Sequence, residues 1–583
     1  MFISVIPALK MPFGHCFFDY ELNEGSVHVG DLILVPFRQK MIAALVAKKS
    51  TDSEYASRTI SISNPKKIFK FPEVIVEYCV EAAKESFVSP PTMLNAWLRT
   101  MPKRLSDFEP HLMHKDTHRP KESERITDKY LVNRYTDRDG IIDLVAKEQA
   151  NGRVLVITPW QRRVDFLAKR LGVDGLHAHT AMKTAWLAWT GFLNSSHGVL
   201  ITTRLGAWLA GTADIVIVDE PENDDFKQDE LTPRYDARRL VSLAAELRPE
   251  LRIHNLSTTP VLSDYAKIKA PSGLEINTDA TFIAYAKQIR SEIEHITQPA
   301  LDLIAEAFEQ KRPIRILHPV YGIRGRIRCG DCNWLMTCPN CKTGMNNMST
   351  FALCRRCNTS QPLPTECPTC RGADLNKSVI GCPALQSLFN KKLPGADLAV
   401  LDLHEWQNQA LRPQSLIVIT NLMRIGGYSE DIRRKERMII AFRRIAAQAC
   451  VAKCSIAVQG DEALLAEAKQ WLTTDGLIRA WKNEYDERRI FEYPPAVIAA
   501  KLIVPGDITK SSDTTDNLQK TCQRTGWKLR GPFTVEYRPM TREQRYIYHL
   551  IPPLDRQKHD IINDLSQLTA YGIIDLDPIA FFC

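Results

Sequence analysis

Apolar and polar positions alternate through residues 1–75, as in SVHVGDLILVPFRQKMIAALVA, with Gly30 and Pro36 as punctuation. A period of two sends successive side chains to opposite faces, so the stretch predicts a small sheet with one face in water. Helical spacing follows from Pro72 to Met101, broken at Pro90 and Pro91. The next piece, RLSDFEPHLMHKDTHRPKESERITDK, is polar and charged and reads as a linker.

Beyond it come short continuous apolar runs, each trailed by a helix-like stretch: RVLVITP at 153–159, GVLITTR at 198–204, ADIVIVDE at 213–220 and RIHNLSTTP at 252–260. Strands apolar on both faces and separated by helices predict a parallel sheet of βαβ units. A second, weaker series has RPIRILHP at 312–319, ADLAVLDL at 396–403, SLIVITN at 415–421 and CSIAVQG at 454–460. Two α/β lobes account for both. From about Tyr493 onward, AAKLIVPG and RYIYHLIPP alternate with helical stretches around the polar loop GDITKSSDTTDN, the pattern of a separate α+β domain.

The 583 residues suffice for several cores, and 44% apolar with 25% charged residues is an ordinary globular balance. No apolar run approaches the ~20 residues that span a bilayer, and the N-terminus lacks a signal-peptide pattern, so the chain reads as soluble, cytosolic and free of membrane. Its formal charge of +8 permits nucleic acid without identifying it.

Fifteen cysteines in a cytosolic protein point to metal rather than disulfides. Eight form four CxxC pairs: Cys329/Cys332, Cys338/Cys341, Cys354/Cys357 and Cys367/Cys370. A tetrahedral zinc site takes two such pairs, so eight thiolates predict two closed sites, and four protein ligands per ion leave no place for a reactive water. Eight thiolates against two divalent ions subtract four charges, leaving +4. Just upstream, Arg312, Arg315, Arg324, Arg326 and Arg328 occur with no acidic residue among them, either offsetting the thiolates or facing a phosphate backbone.

This layout resembles the primosomal protein N′ (PriA) family of bacterial replication-restart proteins. The markers are FFDY at 17–20, VPF at 35–37, ITTR at 201–204, IVDEPENDDFKQDELTPRYDARRL at 217–240, LSTTP at 256–260, the cysteine ladder and ERRIFEYPP at 487–495. The resemblance implies two RecA-like helicase lobes and a nested cysteine pairing, with Cys329, Cys332, Cys367 and Cys370 at one zinc and Cys338, Cys341, Cys354 and Cys357 at the other. It also implies an N-terminal pocket for a DNA 3′ end, built here from Phe18, Asp19 and a lysine at Lys66 or Lys67. Arg38 stands after VPF where the family usually has glycine. The family's separate winged-helix domain has no room here, as in its shortened members.

The engine of such helicases needs a GxxxxGK[ST] phosphate cradle, and none occurs in this chain. Where it belongs, YLVNRYTDRDGIIDLV puts Asp137 and Asp139, which would repel a triphosphate. In DIRRKERMIIAFRRIAAQACV, Gln448 and Val451 stand where active relatives carry finger arginines, so no arginine finger is expected to remain. Asp219 and Glu220 survive as vestiges of a Mg²⁺-holding pair, and Pro221 breaks the acidic box that follows. His177 and His179 alternate on an extended stretch and are not read as ligands. Arg433, Arg434, Lys435, Arg437, Arg443 and Arg444 are read as one charged helix face, either solvated or on DNA.

The expected architecture is multidomain α/β. A β-rich 3′-end DNA-binding domain occupies 1–75, a helical segment and linker 76–125, and a degenerate helicase lobe 126–285. The second lobe starts over 286–328 and resumes over 373–490 around a two-zinc module at 329–372, and the C-terminal domain takes 491–583. The expected role is recognition of forked and single-stranded DNA at stalled replication forks and scaffolding of helicase reloading, with two Zn²⁺, no ATP–Mg²⁺ and no ATPase. By resemblance, the partners are single-stranded DNA-binding protein and the helicase-loading machinery, and the location is cytoplasmic, on the nucleoid. The competing reading is an active ATP-dependent 3′–5′ DNA helicase with a divergent nucleotide site.

Overall fold

The computed structural model describes residues 1–53, 59–100, 126–130, 140–229, 231–263, 274–285, 296–320, 326–329, 331–332, 334–339, 344–348, 350–354, 359–375, 380–407, 411–427, 432–505, 512–532, 545–553 and 556–578. Asp137, Asp139, Arg324, Cys341, Cys357, the linker up to residue 125 and the first half of the 506–517 loop lie outside the described residues.

Six strands form the N-terminal sheet, in the order Ile60–Ser63, Phe18–Glu24, Phe2–Pro7, Lys40–Ser50, Asp31–Phe37, Lys67–Lys70. Both of its faces are covered, which corrects the expectation of a wet one. The period of two sends Leu32 and Leu34 into a core shared with Tyr78, Trp97, Trp189 and Trp208, while Ile33 and Val35 join Ile3, Val5, Tyr20 and Val46 in a second core. That second core exists because the sheet curls. Phe18 and Phe37, on strands separated by two others, meet edge-on at 5.3 Å, and the Tyr20 hydroxyl donates to the Pro36 carbonyl at 2.7 Å.

Helices Val74–Glu85 and Pro90–Trp97 fill the seam between this sheet and the first lobe. Rather than merely breaking a helix, Pro90 starts one, where its missing N–H costs nothing, and Ser89 caps it by accepting from Thr92. The seam is aromatic: Trp97 stacks on Trp208 at 5.7 Å and Phe71 on Trp189 at 6.1 Å.

Each lobe is built on a parallel sheet. The first runs Ile126–Tyr130, Arg252–Ser257, Ile215–Asp219, Val154–Ile157, Val199–Thr202, Gly175–Leu176. The second runs Asp279–Ala284, Ser455–Gly460, Leu416–Ile419, Ile314–Leu317, Leu398–Leu401. Asp279–Ala284 therefore belongs to the second sheet, not to a first lobe ending at 285, because its hydrogen bonds go to Ser455–Gly460. Leu274 and Ile276 already pack in the second lobe's core.

The C-terminal unit has β-α-β-β-α-β order and an antiparallel sheet arranged Lys528–Arg530, Arg545–Ile551, Ala500–Pro505, Ile573–Leu576, the split ferredoxin-like topology. One face is apolar under helices Ser512–Thr525 and Lys558–Ser566. On the other, Asp575 is 1% exposed and meets two cations of the first lobe, Lys227 at 2.8 Å and Arg234 at 3.1 Å. Glu85 makes a second latch, with Arg239 at 2.6 Å and Lys558 at 2.7 Å. Asp575→Ala strands two buried cations, so it is expected to cost ~3–5 kcal/mol in denaturant unfolding. A loss under ~1 kcal/mol would mean that water reaches the site.

Candidate metal centre and interlobe cleft

Among the described cysteines, Cys329, Cys332, Cys367 and Cys370 converge until their sulfurs all lie within 4.8 Å of one another. The Cys329–Cys370 and Cys332–Cys367 sulfurs are 3.6 and 3.5 Å apart. A tetrahedron with Zn–S bonds of ~2.3 Å has edges of ~3.8 Å, so the four thiols fit a zinc ion with little adjustment. Burial resists ionisation of Cys367, but the amides of Cys370 and Thr369 and the neighbouring thiols outweigh it and draw this thiol down to about 6. The residues joined are the first and last pairs of the ladder, the outer set of a nested arrangement. Cys338 and Cys354 are both fully buried and share one small core with Ile327, Met345 and Ala352. Their companions Cys341 and Cys357 lie outside the described residues.

The four described upstream arginines do not act as one patch. Arg312 donates to the Gln414 carbonyl and the Ser455 hydroxyl, and Arg315 is 4% exposed against Asp397 at 3.0 Å. Arg326 and Arg328 flank buried Ile327 and are exposed on one side of the cysteine module.

The second region of interest lies between the lobes. Strand Ile215–Asp219 is buried throughout and delivers Asp219 at its C-terminal end. Glu220 follows at φ 62, a conformation few non-glycine residues adopt, and it swings Pro221–Asp225 across the mouth of the cleft. Four of the five acids there, Asp219, Glu220, Glu222 and Asp224, meet an arginine. Arg163 Nε donates to Asp219 at 3.0 Å within the first lobe. From the second lobe, Arg444 lies 3.2 Å from Glu220 and 4.0 Å from Glu222, its guanidinium 5.3 Å from the centre of the Trp160 ring. Arg437 and Arg433 approach Asp224 at 2.7 and 3.8 Å. Burial pushes the Asp225 carboxyl up, against the Trp160 indole N–H that it accepts.

One expectation changes here. The basic helix Arg434–Ala452 does not present one charged face: Arg433, Arg437 and Arg444 lie within ~40° of each other at 100° per residue and point into the cleft, while Lys435 pairs with Glu467. Arg443, fully buried, donates to the Thr259 hydroxyl at 3.1 Å, to the Thr258 and Leu274 carbonyls and to the Trp471 carbonyl. It grips the LSTTP segment where the chain passes between lobes, and burial pushes its guanidinium down. An arginine of the second lobe does reach the cleft, but not from the positions where active relatives carry the finger arginines. Gln448 accepts from the Trp406 indole at 3.2 Å, away from the cleft, but Arg444 one turn earlier stands at Glu220. Sequence reading missed Arg163, Trp160 and Asp224, and the i, i+4, i+11 spacing of Arg433, Arg437 and Arg444 was the signal available.

In the N-terminal sheet, Phe18 and Asp19 open the strand Phe18–Glu24. The Asp19 carboxylate accepts from Ser4 Oγ at 2.7 Å and Ser53 Oγ at 2.5 Å. Arg38, at φ 55 in the tight turn between Phe37 and Lys40, is exposed with its guanidinium 6.0 Å from the Phe37 ring centre. Lys67 is paired with buried Asp31 at 3.0 Å, and Lys66 is exposed. His177 bonds Asp165 at 3.0 Å, with its ring centre 6.4 Å from that of His179. Among the described residues no helix is long and apolar enough to cross a membrane.

No family model matches the chain. It is similar to the replication restart protein PriA of Thermotoga maritima, 22% identical over 323 residues, which are 54% of this chain and 41% of that protein. The PriA of Borreliella burgdorferi is 24% identical over 196 residues, 32% of this chain and 29% of that one. That of Chlamydia pneumoniae is 28% identical over 173 residues, 27% and 23% of the two chains. The chain thus spans less than half the length of these curated relatives. Matches to proteins of one name from several bacteria, with a four-cysteine cluster inserted between Ile314–Leu317 and Leu398–Leu401 of the second lobe's sheet, support a PriA-like family for this chain.

Proposed function

We propose that the protein recognises branched DNA at stalled replication forks and scaffolds reloading of the replicative helicase, without an ATPase of its own. The observation that carries the second half is the state of the acidic pair. Asp219 faces Arg163, and Glu220 faces Arg444, so the carboxylates that would hold a metal against a triphosphate already have cationic partners inside the protein. The relatives named for replication restart support the first half. In this reading two zinc ions hold the cysteine module, and single-stranded DNA-binding protein and the helicase loader are the partners. One observation favours the competing reading of an active helicase: Arg444 does stand across the cleft from Glu220.

The fork-end pocket is read at Phe18 and Asp19. Phe18 is half-buried, with its ring edge-on to Phe37, and one face of such a pair can stack on a terminal base. A carboxylate has about four acceptor sites, so Asp19 can hold Ser4 and Ser53 and still accept from a 3′-hydroxyl. A phosphate there would be repelled.

The test compares binding of forks whose leading strand ends in a 3′-hydroxyl or a 3′-phosphate. A hydrogen bond to a charged group is worth ~1.5–3 kcal/mol, so the hydroxyl fork is expected to bind ~10–100-fold more tightly, and Asp19→Ala to erase the difference. Equal binding of both forks by wild type would remove the pocket. Failure to prefer either fork over duplex DNA would remove the function.

A further inference from the structure

We infer that Arg444, Arg437 and Arg433 form a fixed ionic clamp on Glu220, Glu222 and Asp224 that holds the two lobes in one closed arrangement, with or without nucleotide. The inference rests on the reading of a frame that has lost its engine, and goes beyond it by stating what the surviving acids do.

Charge matching is the first argument. Counting Arg163 with Asp219, four carboxylates on the first lobe face four guanidiniums, three of them from the second lobe. The contacts at the centre are dry: the side chains of Glu220, Glu222 and Arg444 are 2%, 0% and 10% exposed. Glu222 also accepts from the Ser257 hydroxyl at 2.8 Å, which fixes its direction. Arg444 lies between the Trp160 ring of the first lobe on one side and the two glutamates on the other, so its guanidinium contacts the first lobe on both sides.

Buried ion pairs add little net stability, because desolvation offsets attraction, but removing one partner is costly and the paired geometry is specific. The clamp therefore sets an arrangement rather than a large free energy. Two further features act at the same place. Arg443 ties Thr258, Thr259 and Leu274, on both sides of the crossing between lobes, to the Trp471 carbonyl, and the Trp481 indole donates to the Pro260 carbonyl at 2.9 Å. The C-terminal unit closes over the junction. Lys558, Leu576 and Asp577 line the same cavity, about 790 Å³, as Asp224, Arg437 and Arg444. Opening the lobes would then have to undo contacts of three parts of the chain together.

The test places two fluorophores, as unnatural amino acids, at exposed Lys169 of the first lobe and Lys391 of the second, and reads their distance in single molecules of the full chain. Wild type is expected to give one narrow distance that neither saturating Mg²⁺–ATP nor fork DNA shifts. Arg444→Ala with Arg437→Ala should broaden it or move it outward. The charge-reversed pair Arg437→Asp with Asp224→Arg, whose side chains are partly exposed and tolerate change, should keep the narrow distance, while either single reversal loses it. Several distances in wild type, a shift with nucleotide, or loss of the narrow distance in the double reversal would each overturn the clamp. Fork affinity measured on the same samples stands apart: moving lobes with intact fork binding defeat the clamp alone.

Discussion

Stripping the purified protein with a strong chelator is expected to release two zinc ions per chain and unfold residues 326–375 while the lobes stay folded. The module has almost nothing else to hold it. Its strands, Asn346–Asn347, Phe351–Leu353 and Ser360–Pro362, are two or three residues long, and its two cores are built around Cys329, Cys338, Cys354 and Cys367 themselves. So small a sheet is not stable alone, and the ~10–16 kcal/mol of structural zinc binding is in effect its folding free energy. Amide exchange is the readout: protection over 326–375 should collapse on metal removal and return with Zn²⁺, while strands Val154–Ile157 and Leu416–Ile419 are unaffected. Cys329→Ser or Cys367→Ser should lose one ion and Cys338→Ser the other. Release of a single ion by wild type would leave the outer site standing and remove the inner one.

How well each feature reads from sequence follows the distance over which its contacts act. The CxxC pairs are legible because a metal knuckle is made within a few residues, and the outer four sulfurs do converge. The lobe strands are legible because burial on both faces forces runs such as IVIVD and LIVI. Gly175–Leu176 is too short to leave a pattern. Asp279–Ala284 reads as a strand, but nothing local says which sheet it joins; that depends on hydrogen bonds to a partner more than 170 residues away. The N-terminal sheet shows the limit of alternation. Leu32 and Ile33 are both apolar, and a second apolar face is the sign of a curled sheet with two cores.

The cleft was the least legible part. Arg437 and Asp224 are 213 residues apart in sequence, and no periodicity links them. Arginines along a helix look like a solvated face unless the acids they meet are known, so nothing in the sequence separates Arg443, fully buried, and Arg444, at Glu220, from half-buried Lys435. By contrast, the absence of a glycine cradle is a property of the sequence alone and needs no fold to be seen.

That absence sets the last expected result: no DNA-stimulated ATP hydrolysis above a Glu220→Ala control. Phosphoryl transfer depends almost wholly on positioning and charge stabilisation, supplied by glycine amides, a lysine and an arginine aimed at the γ-phosphate. The chain has no GxxxxGK[ST] sequence, so the first two are missing outright. The third is present in form only, because Arg444 is 3.2 Å from Glu220 with its guanidinium over the Trp160 ring, and its charge is already engaged. Loss of an arginine finger alone slows turnover by ~10³–10⁵-fold, and here the cradle and its lysine are lost with it. The assay uses forked DNA and Mg²⁺–ATP on a preparation shown to bind forks, and turnover well above the control would restore the helicase reading. Thermal unfolding with Mg²⁺–ATP separates binding from chemistry. Nucleotide at 100 times its dissociation constant would stabilise the chain by ~2.7 kcal/mol, a shift of a few degrees, and none is expected. If the shift appears without turnover, the cleft has kept a nucleotide site and Arg444 must give up Glu220 to admit it, so the same ligand should then loosen the lobes.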